Sequence, residues 1–169
     1  MKLPIQIVNN DDEFIGLVDR LEADYSKIIY RVSGLWLTNS LGEVLMAQRK
    51  FTKRSDPGAW GPAVAGTLDE GETYESNIYK EAEEEIGLTG VKFDLGPKIR
   101  VTEPRNYFCQ WFTVNLDRPA SEFKLQEDEV EAVRWISKGD LVQDITEHPE
   151  KYIQHFEHSL RLLLPGIKI

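Results

Sequence analysis

Apolar and polar residues alternate along the chain with two different periods, and the places where the period changes mark its elements. Ile29 to Leu37 and Val44 to Arg49 are rich in β-branched and aromatic residues, which favours strands. Thr38-Asn39-Ser40-Leu41-Gly42 between them has the composition of a turn, so the two strands are expected to open as a hairpin. Ser55-Asp56-Pro57-Gly58 predicts another turn, and Trp60 to Gly66 a short buried segment. Thr73 then offers an N-cap for a helix running to about Ile86, with Glu75 in the first turn, where the dipole favours an acid, and Gly87 as a left-handed stop. Val91 to Thr102, Tyr107 to Leu116 and Val130 to Ile136 read as further strands, the first interrupted or held to an edge by Pro97 and Pro104. Pro149 to Leu164 is predicted as a closing helix, because Tyr152, Phe156, Leu160 and Leu163 recur at i, i+4, i+8 and i+11 and make a core-facing stripe. Strands around one helix, with a second helix at the end, predict an α/β sandwich on a mixed sheet whose strand order the pattern leaves open.

With 169 residues and 41% hydrophobic content, the chain can bury one core of ordinary size; residues 1–169 are expected to form a single domain. No stretch reaches the roughly 20 apolar residues of a membrane span, and Met1-Lys2-Leu3-Pro4-Ile5 lacks the apolar core of a signal peptide. A cytoplasmic location is the expectation. Cys109 is the only cysteine, which excludes an internal disulfide and a cysteine-rich zinc site and suits a reducing compartment; it reads as a packed strand residue. Asp and Glu outnumber Lys and Arg by 29 to 20, for a net charge of −9, which disfavours attachment to nucleic acid or anionic lipid. An anionic substrate would need a local basic patch, while the surplus carboxylates can act as metal ligands.

On a helix advancing about 100° per residue, Ile78, Tyr79, Ala82 and Ile86 share one face while Glu81, Glu84 and Glu85 share the next. Like charges at that spacing repel by a few tenths of a kcal/mol per pair, so the cluster is costly unless a cation neutralises it. Mg²⁺ takes oxygen ligands and bridges carboxylates to substrate phosphates, which suits the arrangement. Taken alone, Glu83-Glu84-Glu85 reads better as a solvated face of an acidic protein. The preceding loop changes the balance, because Gly66 and Gly71 bracket Thr67-Leu68-Asp69-Glu70 and let backbone approach the helix.

Gly66, Glu72, Glu81, Glu84, Glu85, Gly87 and Leu88 fall at the spacing of the Nudix box: glycine, five residues, glutamate, seven residues, then arginine-glutamate-aliphatic-any-glutamate-glutamate-any-glycine-aliphatic. The chain thus resembles the Nudix hydrolase superfamily. The resemblance implies an α/β/α sandwich and Mg²⁺-dependent cleavage of a diphosphate bond in a nucleoside diphosphate derivative or nucleoside triphosphate. It implies a metal, Mg²⁺ or Mn²⁺, held by Glu81, Glu84 and Glu85 with the carbonyl of Gly66, and a loop braced by Glu72. It further implies a base from a glutamate ahead of a strand tryptophan; Gln126-Glu127-Asp128-Glu129-Val130 precedes Trp135, with Glu129 the first candidate and Glu127 the second. The expected partner is a small phosphorylated molecule, with neither stable nucleic acid nor membrane, and a homodimer is an option. Two positions depart from the box. Ala82 stands for the first aliphatic residue, and Lys80 for the arginine, losing the planar fork that holds a carboxylate bidentately.

The flanks, Glu13-Phe14-Ile15-Gly16-Leu17-Val18, Gln48-Arg49-Lys50-Phe51-Thr52-Lys53-Arg54 and Pro57-Gly58-Ala59-Trp60, look like isopentenyl-diphosphate isomerase, a divergent member of the same superfamily. By that likeness Arg49 and Lys53 would grip a diphosphate, a role clustered basic side chains can fill on an acidic protein. The isomerase reaction also needs a cysteine, a glutamate and a metal held by histidines and glutamates. Alignment puts Ala65 and Thr67 at the cysteine and a histidine, and Arg105 and Tyr107 at two glutamates. His148, His155 and His158 all lie in the C-terminal region and read as surface or helix-packing residues. Hydrolysis is the leading expectation, with isomerase chemistry and a non-catalytic nucleotide-binding module as alternatives. Trp60, Tyr107 and Trp111 could stack on a base, although strand aromatics more often fill a core.

Overall fold

The computed structural model describes residues 3–103, 105–154 and 156–164. Its strands are β1 (Ile5–Val8), β2 (Phe14–Val18), β3 (Tyr30–Thr38), β4 (Glu43–Arg49), β5 (Trp60–Pro62), β6 (Val64–Thr67), β7 (Asp94–Val101), β8 (Tyr107–Asn115) and β9 (Val130–Ser137). The helices are α1 (Tyr74–Ile86), between β6 and β7, followed after β9 by α2 (Lys138–Glu147) and α3 (Phe156–Leu163). The sheet is mixed: β3 runs parallel to β8 along its whole length, while β6 and β1 pair with β3, and β7 with β8, antiparallel. β4 pairs antiparallel with β5 and β9, forming a second wing.

Alternation along the strands sorts the apolar residues onto two faces. Leu35 and Leu37 of β3, Leu45 of β4 and Phe112 and Val114 of β8 meet Ile78, Ala82 and Ile86 of α1. The opposite face, with Trp36, Met46, Ile99 and Trp111, is covered by Leu141 and Ile145 of α2 and Phe156 and Leu160 of α3. Each fully buried aliphatic side chain contributes roughly 1.5–3 kcal/mol, so α1 is anchored by its apolar stripe and cannot rotate its carboxylates away without exposing it. The result is the expected α/β sandwich around a mixed sheet.

Three expectations need correction. The hairpin of β3 and β4 closes only at its base, Thr38↔Val44; beyond that β4 leaves for β9, and β3 for β6 and β8. The closing helix is broken. Residues 149–151 form a single 3₁₀ turn, Ile153 N–H donates to the Trp60 carbonyl (2.9 Å), and only Phe156–Leu163 is α-helical. Tyr152, Phe156 and Leu160 are nevertheless all buried, so the stripe faces the core across the break. Finally β1, β2 and α2 were not anticipated. Pro97 does interrupt its strand, where pairing with β8 shifts between Leu95 and Lys98, while Pro104 lies outside the described residues. Among the described residues no helix is long and apolar enough to cross a membrane.

Candidate active site

Helix α1 is set in place by its two ends. At the start, Thr73 Oγ1 accepts from Ser76 N (3.0 Å) and Ser76 Oγ accepts from Thr73 N (2.8 Å), a reciprocal capping box. At the finish, Gly87 adopts φ 64°, a left-handed stop open to glycine without strain. Between these caps the helix lies against β6 so closely that a Cβ on Gly66 would be 2.4 Å from Glu81 Cγ and 2.8 Å from Asn77 Oδ1. Buried Asn77 stitches the contact: it accepts from the Ser33 hydroxyl of β3, and its Nδ2 donates to Glu72 Oε2 (2.7 Å) and Glu81 Oε1 (3.3 Å).

The loop between Gly66 and α1 is braced from within and from outside. Glu72 Oε2 also accepts from the Asp69 N–H (2.8 Å), so this side chain spans its own loop. Lys80 Nζ lies 2.6 Å from Glu72 Oε1, 3.3 Å from Asp69 Oδ2 and 3.4 Å from Glu81 Oε1. Burial works against its charge, but the bond to Glu72 and the charges of Glu81 and Glu72 outweigh it and hold the ammonium well above its ordinary pKa. The planar fork that lysine lacks comes from elsewhere. Arg20, just after β2, donates from Nη2 (2.6 Å) and Nε (3.1 Å) to Asp69 Oδ1 and from Nη2 to the Thr67 carbonyl (3.0 Å). Lys80 and Arg20 therefore grip opposite oxygens of Asp69. Gln6 of β1 adds donations to the carbonyls of Asp69 and Glu72, each 2.7 Å.

This frame borders a cleft of about 430 Å³ lined by Gly66, Glu81, Glu84, Glu85 and Glu129, with Arg49 and Lys53. All the site residues expected from the sequence thus share one cleft, whereas exposed Glu127 is not among its lining residues. Glu129 reaches it because the chain ahead of β9 is tied to the end of α1 by Gln126 N donating to the Glu85 carbonyl (3.0 Å), and Lys50 N donates to the Glu129 carbonyl (3.0 Å). Lys53 Nζ pairs with the Glu129 carboxylate. Burial, followed by the charges of Glu81 and Glu129, pushes the Glu85 carboxyl up to about 8, against the opposing effects of the Ala65 N–H and Arg49. Burial likewise raises Glu81. Among the described residues no three acidic, histidine or cysteine side chains are already drawn to one point as a closed metal cage. The acids crowd one wall instead, as hard oxygen donors around open space.

Next to the cleft, and sharing Arg49, Ala65, Gly66 and Thr67 with it, is a cavity of about 220 Å³ whose apolar walls come from Tyr30, Val32, Val101, Tyr107 and Ile153 and whose charged groups besides Arg49 are Asp56, Glu103 and Arg105. Tyr107 is the one of the three candidate stacking aromatics that lines it; Trp111 is buried in the core and Trp60 is covered by the Arg134 guanidinium at 4.3 Å. Ala65 faces the cleft where the isomerase alignment would need a thiol. Cys109 is packed in the core under α2 and α3, and burial raises its thiol pKa. His148 lies 3.6 Å from Glu150, His158 is exposed on α3, and His155 lies outside the described residues.

Arg20, Asn77 and Arg105 escaped the reading of the sequence as contributors to this region. Arg105 lines the apolar cavity and donates to Ser55 Oγ (3.0 Å). The only available signal for Arg20 was the vacancy left by Lys80, which called for a guanidinium without indicating where it would come from.

Residues 29–156 match the NUDIX domain family. The chain is 28% identical over 158 residues to the uncharacterized Nudix hydrolase PA4841 of Pseudomonas aeruginosa, covering 93% of this chain and 90% of that one. It is 23% identical over 153 residues to isopentenyl-diphosphate Δ-isomerase of Klebsiella pneumoniae, covering 85% and 80%. The crystal structure of DR0079 from Deinococcus radiodurans has the same fold, with TM-score 0.83 at 21% identity over 94% of this chain and 97% of that one.

Proposed function

This chain belongs to the Nudix family, and we propose that it is a Mg²⁺-dependent hydrolase cleaving the diphosphate linkage of a nucleoside diphosphate derivative or nucleoside triphosphate. One observation carries the reading: Glu81, Glu84 and Glu85 of one helix, the tightly approached Gly66 backbone, and Glu129 from a distant loop all line the same cleft. The donor set fits the ion. Its ligands are carboxylate and carbonyl oxygens, which Mg²⁺ or Mn²⁺ prefers, and the Glu85 carboxyl, pushed up to about 8 first by burial and then by the charges of Glu81 and Glu129, is one whose charged form a divalent cation would stabilise.

Glu81, Glu84 and Glu85, with the Gly66 carbonyl, would hold the cation. Once bound, Mg²⁺ supplies charge neutralisation for the diphosphate and a lowered pKa for a coordinated water. The protein's own groups do the remainder. Arg49 and Lys53 bind phosphate oxygens, the former bidentately. Glu129 accepts the proton of the attacking water, with Lys53 beside it fixing the carboxylate's orientation. The cavity beside Arg49, with its tyrosine and aliphatic walls, receives the organic part of the substrate.

Isomerase chemistry is disfavoured despite the sequence likeness, because Ala65 has no proton to give an alkene and the chain's sole thiol faces the opposite core. Arg20 speaks against a purely non-catalytic module, since the Lys80 departure that motivated it has a compensating guanidinium. The test is a panel of nucleotides and nucleotide sugars with Mg²⁺, read by released phosphate. Glu84→Gln should abolish turnover without changing the fold; activity that survives this change, or excess chelator, would sink the metal assignment.

A further inference from the structure

Beside the carboxylate cleft, and sharing Arg49, Ser55 and Arg105 with the cavity, lies a wider hollow of about 620 Å³ in which Arg20, Arg49, Lys53, Arg54 and Arg105 outnumber Asp128 and Glu129. Its charges are not equivalent. Lys53 is paired with Glu129. Arg54 and Arg105 form no ion pair among the described residues, and Arg49 faces Glu85, whose charged form it favours. Arg49 and Arg105 are both held by a neutral residue: Ser55 accepts from Arg49 Nε at its carbonyl (3.0 Å) and from Arg105 Nη2 at its Oγ (3.0 Å). A neutral serine thus helps to fix two guanidiniums, Arg105 also meeting the Tyr30 hydroxyl and the Tyr25 ring, while Arg54 is exposed at the rim. On a chain of net charge −9, three arginines facing one hollow run against the prevailing sign. Their mutual repulsion is relieved by an anion with several oxygens, for which guanidinium forks are the matching donors.

Arg49 lines the carboxylate cleft, the apolar cavity and this hollow alike. A diphosphate held at the carboxylates therefore has two exits that differ in charge: in the cavity Asp56 and Glu103 offset Arg49 and Arg105 beside tyrosine and aliphatic walls, whereas in the hollow the basic side chains are in excess. Resting on the hydrolase reading above, we propose that the cationic hollow binds additional phosphate. The preferred substrates then carry three or more phosphates in a chain, with the organic group in the apolar cavity, and are not diphosphates that end on a neutral sugar. A neutral sugar in the hollow would leave the three guanidiniums uncompensated and desolvated in part, whereas a further phosphate meets all of them.

The deciding measurement uses probes that carry no organic group. Inorganic tripolyphosphate and inorganic diphosphate are titrated calorimetrically into the full chain with Mg²⁺, for wild type, Arg54→Ala and Arg54→Ala/Arg105→Ala. The expected result is tripolyphosphate binding about tenfold or more tighter than diphosphate in wild type. That advantage should shrink in Arg54→Ala and vanish in the double variant, with diphosphate affinity and melting temperature kept in Arg54→Ala, whose side chain is at the rim. In turnover, uridine triphosphate should exceed uridine diphosphate glucose in kcat/KM by a ratio that collapses in the same variants. Equal binding of the two anions, or an advantage that survives the double substitution, overturns the proposal. Arginine-dependent tripolyphosphate binding without hydrolysis of any nucleotide would overturn the hydrolase reading and leave the hollow's assignment standing. Turnover with no triphosphate preference would do the reverse.

Discussion

Replacing Gly66 by alanine should cost the protein both stability and metal affinity, through one contact. The new Cβ would lie 2.4 Å from Glu81 Cγ, 2.7 Å from Glu81 Cδ and 2.8 Å from Asn77 Oδ1. Carbon atoms in ordinary contact are about 3.5–4.0 Å apart, so more than about 1 Å of room must be found. Asn77 cannot yield it, being buried and tied to Ser33, Glu72 and Glu81. Glu81 must therefore swing, leaving the cleft wall and its 3.4 Å contact with Lys80. Overpacking of this kind costs about 1–3 kcal/mol, which for a domain of this size lowers the melting temperature by roughly 2–4 °C per kcal/mol. The control is Gly42→Ala, at φ 77° in the turn after β3 with nothing within 4 Å of its Cβ, where only backbone strain is introduced. Thermal melts and calorimetric Mn²⁺ titrations of both variants separate the effects: both should lose stability, but only Gly66→Ala should bind Mn²⁺ at least about tenfold more weakly, a loss near 1.4 kcal/mol. Mn²⁺ affinity in Gly66→Ala equal to that of the control would refute the role assigned to this close approach.

The cation-free protein should lose stability as pH rises from about 4.5 to about 8, because the Glu85 carboxyl has an ordinary value of 4.5 and is pushed up to about 8 on folding, first by burial and then by Glu81 and Glu129, so the folded state binds the extra proton in that window; melts at pH 5 to 8.5 should show the decline, Mg²⁺ should flatten it, and a flat profile without the cation would contradict the argument from burial and neighbouring charge. Arg20→Ala should raise the Mg²⁺ concentration for half-maximal activity and lower kcat/KM by about tenfold, on the scale of one charge-assisted hydrogen bond, and Lys80→Arg should restore part of it; a double variant no better than Arg20→Ala would mean that the two cations do not share the task. Lys53→Ala should raise KM more than it lowers kcat in steady-state assays of the panel's best substrate, and the opposite split would remove Lys53 from phosphate binding.

How much of this was legible in the sequence depended on how locally each feature is encoded. The phase of α1 could be read because Thr73, Gly87 and the stripe of Ile78, Ala82 and Ile86 each act within one or two helical turns, and the site's carboxylates ride on that phase. Helix α2 was missed because its signal is slight: one buried pair, Leu141 and Ile145, with Gly139 in the first turn. The N-terminal strands lack the alternation of a half-buried hairpin, since Phe14, Ile15 and Leu17 of β2 are all exposed and β1 is only four residues long. The false continuous helix at the end arose because Tyr152 keeps helical phase with Phe156 while its neighbour's N–H bonds to Trp60 on β5, a long-range claim that periodicity does not record. Arg105 and Arg20 were obscure for the same reason. Their partners, Ser55 and Asp69, are 50 and 49 residues away.

The bracing of the 66–72 loop by the N-terminal strands has a kinetic consequence. The contacts of Gln6 and Arg20 with Asp69, and the donation of Glu70 N to the Pro4 carbonyl (2.8 Å), join segments far apart in the chain. Such contacts form late, since chain entropy must be spent before they return any stabilisation. The capping box and apolar stripe of α1 can form early and present the glutamates, but the loop carrying Gly66 reaches its final shape only when the first two strands dock. Competence to bind a divalent ion should therefore lag the growth of helical signal during refolding, making it a timer for the last step of assembly.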